Sequence, residues 1–225
     1  GGTSAEIGGG KFANGAFSAA MVSLFSSLGQ RASSSWNAQD GRAAKYANAV
    51  YGDDTGGELG NLGVDYQPTD GFGAAAYLGD DGVYYVAMRG TEQTSGSNWL
   101  ANIKQAFGFR SSQYEQAVNL ATAVHDATAG NVVFVGHSLG GGLASAASHA
   151  TGANAITFNA AGLSSRYRTG TSGNIRAHYI RGDILSMGQD FTPLPNAAGT
   201  RISHGSTDGY NGPLNRHGMG HFLSP

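Results

Sequence analysis

The pattern of apolar and polar positions predicts alternating strands and helices, centred on a fully apolar run at residues 132–135. This Val-Val-Phe-Val run is short, β-branched and aromatic, as is typical of a strand covered on both faces in a parallel sheet. Small, helix-compatible residues follow at 139–150. The segment 132–150 is therefore predicted to be a strand, a tight turn and a helix.

Similar patterns predict further elements on either side. Apolar residues near helical spacing predict helices over residues 12–30, 40–51 and 111–128, and another that begins near Asn98. Strand-like runs at 73–78 and 83–89 flank Gly79-Asp80-Asp81-Gly82, a sequence typical of a hairpin turn. Two more strands are predicted at 155–159 and 176–181. Strands that alternate with helices imply an α/β fold with a mostly parallel sheet, and the hairpin suggests an antiparallel edge.

Size and composition narrow the classes of function. The 225 residues suit one domain, which we assign to 36–225, after an N-terminal linker and helix at 1–35. A net charge of −2 without a Lys/Arg cluster argues against nucleic acid as a partner. The absence of cysteine excludes a thiol nucleophile. Polar residues interrupt the apolar stretch at 12–28, so no transmembrane segment is expected.

The predicted turn has the sequence Gly136-His137-Ser138-Leu139-Gly140, which matches the G-x-S-x-G nucleophile elbow. The two glycines allow strand and helix to pass closely, so that the serine hydroxyl stands clear of the backbone. The helix N terminus directs its N–H groups, that of Leu139 foremost, to where they would stabilise an oxyanion. Ser138 is therefore the candidate nucleophile, and the alternative is an ordinary glycine-rich turn.

The candidate acid is Asp183, because reactive groups collect at the carboxyl ends of strands in open α/β sheets. It follows the predicted strand at 176–181 closely enough to orient an imidazole. The alternative is a structural turn aspartate. Asp190 and Asp208 are later candidates, without a predicted strand to place them.

The candidate bases are histidines near the C terminus. His217 lies in a loop of small residues after Asp183, as the order Ser, Asp, His requires, and is preferred. His221 is the alternative base, followed by His204. The other four histidines are disfavoured. His125 and His149 lie in predicted helices, and His178 lies in a predicted strand. His137 lies in the elbow, with its side chain expected to face away.

Together these residues resemble the class 3, or fungal-type, lipase family. The elbow is one of four motifs that occur in the family's order. The others are Arg89-Gly90-Thr91 with Trp99-Leu100-Ala101-Asn102 after it, Gly182-Asp183-Ile184-Leu185 before a proline-bearing loop, and a histidine near the C terminus. The resemblance covers about residues 40–225. It implies an α/β-hydrolase fold with helices on both faces of the sheet, and Thr91 as the second oxyanion donor beside Leu139.

The chemistry expected of these residues is acyl transfer from an ester to Ser138 and then to water. Residues 92–97 are polar where lipases of this family that act on triglyceride carry a hydrophobic lid helix, so a short or absent lid is expected. On the resemblance to the lipase family, we predict a serine esterase, most of all of the phospholipase A type, that acts on phospholipid at a membrane surface without metal or cofactor. The alternatives are a triacylglycerol lipase, a soluble carboxylesterase, and an inactive hydrolase-fold binding module.

A second resemblance concerns the glycine-rich residues 8–16, Gly-Gly-Gly-Lys-Phe-Ala-Asn-Gly-Ala. They look like the segment that joins Rhs-type bacterial polymorphic toxins to their C-terminal effector domains. This resemblance implies a toxin domain that is secreted or delivered into a target cell, is peripheral at the membrane, and is held in check by a cognate immunity protein.

Overall fold

The structure is a computed structural model, and it describes residues 36–90, 111–206 and 212–223. The chain divides into two units, and the second, Asn37–Pro225, contains all of the elements given below. The helices predicted over 12–30 and near Asn98 lie outside the described residues, as does Thr91.

Strands and helices alternate along most of the described chain. The strands are β1 (Ala74–Leu78), β2 (Tyr84–Met88), β3 (Val132–His137), β4 (Asn154–Phe158), β5 (Ile175–Ile180) and β6 (Thr200–His204). The helices are α1 (Ala38–Ala49), α2 (Ser111–Ala127), α3 (Leu139–Thr151), α4 (Ile184–Phe191), α5 (Gly212–Asn215) and α6 (Gly220–Leu223), with short 3-10 turns at Val50–Gly52 and Ser165–Tyr167.

The strands form one sheet in the order β1-β2-β3-β4-β5-β6. β1 and β2 are antiparallel and form the predicted hairpin, whereas every later pair is parallel. The hairpin turn closes with a 2.9 Å hydrogen bond from Gly79 N–H to Val83 O. The prediction of a mostly parallel sheet with an antiparallel edge is confirmed.

The strand register assigns a helical layer to each face of the sheet. Phe134, Ala155 and Ile175 occupy paired positions and pack with α2 and α3 in one hydrophobic core. His137 and Phe158 alternate with these side chains and therefore lie on the opposite face. α1 and α6 pack on that second face. Helices thus cover both faces, in agreement with an α/β-hydrolase-like fold.

β6 and α4 are among the elements that were not predicted from the sequence. β6 has only one aliphatic side chain, Ile202, so its sequence lacks an apolar alternation. Its polar residues are instead satisfied by tertiary partners: Arg201 pairs with Asp190 at 2.6 Å, and His204 Nε2 lies 2.8 Å from His178 Nδ1. Pairing with β5, rather than local preference, therefore determines this strand.

The start of α3 passes unusually close to β2. A Cβ added at Gly140 would lie 2.0 Å from Met88 O, and one added at Gly136 would lie 2.2 Å from Gly140 O. Real Cβ atoms do not tolerate backbone atoms at these distances. Both elbow glycines are therefore required by the close approach of strand and helix.

The N terminus of α1 is fixed by the buried carboxylate of Asp40. Asp40 and Asn37 form a capping box, and the Asp40 carboxylate also accepts hydrogen bonds from Arg176 Nε at 2.9 Å and Nη2 at 2.6 Å. His178 Nε2 lies 3.1 Å from Asp40 Oδ1. Burial raises the pKa of Asp40, but the bonds from His178 and Arg176 outweigh it and hold the pKa at about 2. This cluster ties α1 to β5.

We expect Asp40→Asn to lower the free energy of unfolding by about 3 kcal/mol, because it leaves the partly buried Arg176 without its counter-charge. The matched control is Asp80→Asn, which breaks the exposed ion pair with Arg42 and is expected to cost about 0.5 kcal/mol. Urea unfolding near neutral pH measures both variants. Equal losses would contradict the role given to Asp40.

The pH dependence of this contribution has a definite sign. The pKa of Asp40 is about 2 in the folded chain, below its ordinary value of 3.8. The stabilisation is therefore fully present above 3.8 and is lost as the pH falls through the folded-state value. The difference in stability between the wild type and Asp40→Asn should shrink in that window.

We expect Gly140→Ala to destabilise the fold by about 2 kcal/mol or more, because the new methyl group collides with the backbone at Met88. Gly188→Ala in α4 is the control: open space surrounds a Cβ there, and helix propensity favours alanine by about 1 kcal/mol. Thermal unfolding of the two variants gives the comparison. A Gly140→Ala variant as stable as the wild type would show that α3 and β2 are less closely packed at the elbow than these distances indicate.

Candidate active site

Ser138 stands at the sharp turn between β3 and α3 with φ 58° and ψ −125°. A positive φ is costly for a residue with a side chain and persists only where the surroundings enforce it. Here the Ser138 N–H donates to Phe158 O at 3.1 Å, and its carbonyl accepts from Ala161 N–H at 2.8 Å and Gly141 N–H at 3.0 Å. The backbone around Ser138 therefore has the strained geometry expected of a nucleophile elbow.

Leu139 is the first residue of α3, which is buried from Leu139 to Ser148. The N–H groups of a first helical turn have no acceptor within the helix, and the helix dipole adds partial positive charge there. The elbow thus presents donors next to Ser138, where negative charge on a substrate oxygen would be stabilised.

Asp183 is fully buried and caps the N terminus of α4, where its Oδ2 accepts from Ser186 N–H at 2.8 Å. It follows the end of β5 through Gly182, which has φ 81°. Burial alone would raise the pKa of Asp183, but hydrogen bonds from His217 and Ser186 lower it below its ordinary value. The side chain is therefore a carboxylate that accepts hydrogen bonds.

His217 lies in the turn between α5 and α6, and its Nδ1 is 2.6 Å from Asp183 Oδ1. Because an ionised carboxylate only accepts, Nδ1–H donates and Nε2 is the nitrogen that can take up a proton. The His217 ring is 1% exposed, so the imidazole is held in one orientation. The predicted acid and base are thus in direct contact.

The alternative acid and bases have other partners. His221 Nε2 donates to Asn215 O at 3.2 Å, and His204 contacts His178. Asp190 pairs with Arg201 at the surface. Asp208 lies outside the described residues. Of the candidates that the structure describes, it brings together Asp183 and His217.

Two residues that were assigned no role in the site from the sequence hold the His217 turn against the sheet: His137, disfavoured above as a base, and Asn159. His137 Nε2 lies 2.6 Å from His217 O, and Asn159 Nδ2 donates to the same oxygen at 3.0 Å. Burial first, and then the nearby His217, lower the pKa of His137 to about 3, so its ring is neutral at ordinary pH. The positions of both residues, in the elbow beside Ser138 and directly after β4, are the sequence signals that point to them.

The strand end that precedes Thr91 runs along the elbow. The N–H of Gly90 donates to the Tyr51 hydroxyl at 3.2 Å, and a Cβ added at Gly90 would lie 2.7 Å from His137 O. It would also lie 3.3 Å from Gly140 N. Gly90, the residue before Thr91, therefore lies directly beside the turn that carries Ser138.

This arrangement has the components of nucleophilic acyl transfer: a serine in a strained elbow, helix N–H donors, and an imidazole oriented by a buried carboxylate. Within residues 36–90, 111–206 and 212–223, no cluster of His, Asp, Glu or Cys is suited to a metal ion.

Comparison with known proteins agrees with this chemistry. The model of the phospholipase-like family, described as a Tle-like phospholipase domain, matches residues 32–217, a range that contains Ser138, Asp183 and His217. The chain is also 37% identical over 155 residues to an extracellular phospholipase A1 of Serratia liquefaciens, an alignment that covers 63% of this chain and 48% of the relative. The chain thus spans about half the length of that relative. On the family match, which covers most of its residues, the chain belongs to the phospholipase-like family as a Tle-like phospholipase domain.

Proposed function

We propose that this domain is a serine esterase of the phospholipase A type, which hydrolyses an acyl ester of membrane phospholipid. The observation that carries the proposal is the buried hydrogen bond between His217 Nδ1 and Asp183, held beside the strained elbow of Ser138. The family match and the relative, an extracellular phospholipase A1, support phospholipid as the substrate.

In the proposed reaction, His217 Nε2 removes the Ser138 hydroxyl proton as Oγ attacks the ester carbonyl carbon. Asp183 remains a carboxylate and stabilises the imidazolium that forms. The tetrahedral intermediate collapses when His217 returns the proton to the leaving lysophospholipid oxygen. Water, deprotonated by His217, then attacks the acyl-enzyme, and fatty acid leaves as Ser138 is restored.

Leu139 and Thr91 are the proposed oxyanion donors. Leu139 supplies the N–H at the first position of α3. The support for Thr91 is its neighbour Gly90, which packs against the elbow. The resemblance of Arg89-Gly90-Thr91 to the motif of class 3 lipases gives independent support, because that resemblance implies Thr91 as the second donor.

A lipid surface is the proposed site of action, because apolar side chains are exposed close to Asp183 and His217 in sequence. Within the described residues, the exposed large apolar side chains on α4, α5 and α6 are Met187, Phe191, Leu214 and Leu223, and the remaining one is Leu78 on the edge strand. Exposed apolar groups on helices that adjoin a site along the chain suit docking to lipid. None of the described helices is long and apolar enough to cross a membrane. The docking that we propose is peripheral, through the exposed apolar side chains.

The biological setting that we propose is a secreted or cell-delivered toxin domain restrained by an immunity protein. The relative's extracellular character supports secretion. The Rhs-like segment at residues 8–16, which lies outside the described residues, supports delivery as the tip of a larger protein. In this account residues 1–35 are linker and helix, and 36–225 are a catalytic domain akin to class 3 lipases.

We expect the wild type to release fatty acid from phosphatidylethanolamine/phosphatidylglycerol liposomes, and Ser138→Ala to lower the rate by about 10⁴-fold or more. Ser145→Ala is the matched control, since Ser145 lies in α3, the helix that follows Ser138, and its hydroxyl donates to Gly141 O at 2.8 Å within that helix. Triglyceride emulsion and a short p-nitrophenyl ester are measured alongside.

The outcomes separate the alternatives. Liposome hydrolysis that persists in Ser138→Ala would overturn the serine mechanism. Activity on triglyceride or on the short ester alone would favour a lipase or a soluble carboxylesterase. Inactivity on every ester would favour a binding module.

We expect Phe191→Ser and Leu214→Ser each to lower liposome hydrolysis by about tenfold relative to hydrolysis of the short ester, because each removes apolar area that would enter the lipid. Leu78→Ser, on the edge strand at an exposure comparable to that of Leu214, should change neither rate. Vesicle sedimentation checks that the loss is one of binding. An equal loss with Leu78→Ser would contradict this docking face.

A further inference from the structure

A chain of hydrogen bonds connects the strand end at Gly90 to the turn that carries His217. Gly90 N–H donates to the Tyr51 hydroxyl at 3.2 Å, and this hydroxyl lies 3.2 Å from His137 Nδ1. His137 Nε2 in turn lies 2.6 Å from the His217 carbonyl oxygen. This chain of hydrogen bonds therefore passes beside Ser138, because it runs through His137, the residue before Ser138.

The acceptor at one end assigns a direction to every bond in this chain. A carbonyl oxygen only accepts, so His137 Nε2 carries the proton and donates to His217 O. A neutral imidazole has one N–H, so Nδ1 is an acceptor and the Tyr51 hydroxyl donates to it. The Tyr51 oxygen is then available to accept from Gly90 N–H. The geometry is consistent with one tautomer of His137.

Asn159 holds the same carbonyl from the other side. Its Oδ1 accepts from Ile180 N–H at 2.9 Å, which fixes the amide orientation, and its Nδ2 donates to His217 O at 3.0 Å. The His217 carbonyl thus receives one donor from the end of β3 and one from the residue after β4. These two donors hold the His217 turn against the carboxyl ends of β3 and β4.

We propose that His137 and Tyr51 are positioning residues of the esterase, and that they set the His217 imidazole and the Gly90 strand end in register with Ser138. This inference rests on the function proposed above. It adds that His137, the residue before the proposed nucleophile, acts as a neutral hydrogen-bond donor to the His217 carbonyl and does more than pack in the core.

Neutrality matters because the proposed reaction generates an imidazolium at His217. The rings of His137 and His217 are 4.7 Å apart between centroids, so a charged His137 would oppose that step. The titratable groups that face His137 are Tyr51, His217 and Asp183. Burial of His137 lowers its pKa and so keeps its ring uncharged.

Two substitutions at His137 separate its two nitrogens. In His137→Gln the amide nitrogen can take the place of Nε2 and still donate to His217 O, whereas the shorter side chain of His137→Asn mimics only Nδ1. On the short soluble ester we expect kcat to fall about 100-fold in His137→Asn and only severalfold in His137→Gln, with KM little changed. Tyr51→Phe should lower kcat about tenfold, because the link to Gly90 is lost. His125→Gln on α2, whose histidine has a 34% exposed side chain, is the control and should match the wild type.

A merely structural role would lower the thermal stability of both His137 variants and leave the kcat of the folded enzyme alike in the two. Equal kcat in His137→Asn and His137→Gln would therefore overturn the inference. Loss of liposome activity in Ser138→Ala alongside a wild-type kcat in His137→Asn would overturn this inference alone. Activity retained in Ser138→Ala would instead overturn the proposed function.

A measurement on the wild type does not depend on whether the variants fold. In ¹⁵N NMR of histidine-labelled protein, His137 should show a protonated Nε2 and an unprotonated Nδ1 between about pH 5 and pH 8. A protonated Nδ1, or an imidazolium in that range, would contradict the bond directions assigned to this chain of hydrogen bonds.

Discussion

The 2.6 Å hydrogen bond between His217 Nδ1 and Asp183 is the interaction on which the site depends. Both side chains are buried, and an unpaired carboxylate or imidazole there would carry a large desolvation cost. The bond is therefore satisfied only when β5, α4 and the turn before α6 are all in place. It also fixes the tautomer of His217, so a requirement of folding and a requirement of the proposed chemistry are met by the same contact.

A second carboxylate–histidine pair in this fold serves a different purpose. Asp40 contacts His178, but it also receives two hydrogen bonds from Arg176 and caps α1. Its charge is neutralised by a permanent cation, and the other nitrogen of His178 contacts His204. Asp183 instead accepts from Ser186 N–H and from His217, so its charge is available to stabilise a positive His217. The same pair of side-chain types thus stabilises the fold in one place and orients the proposed base in the other.

The strongest local patterns predicted the centre of the fold well. The apolar run before the elbow, the hairpin turn and the periodicity of α2 each correspond to an observed element, because local sequence and tertiary packing favour the same structure there. β6 was missed because its stability comes from pairing and from side-chain partners distant in sequence. Ser138, Asp183 and His217 were chosen from spacing and strand ends. The structure places Asp183 and His217 in contact, and the catalytic roles of all three stay predictions. The contacts of His137 and Asn159 with the His217 turn, and that of Tyr51 with His137, join residues up to 86 positions apart, so only the folded chain reveals them.

Labelling with a fluorophosphonate, mapped by mass spectrometry, tests the central claim most directly, because the reagent reports an activated serine without reference to any substrate. We expect one modified residue, Ser138, and labelling about 10³-fold slower or more in His217→Gln and in Asp183→Asn, since both lose the oriented base. Modification of another serine, or wild-type labelling of Ser138 in the His217→Gln variant, would contradict the account.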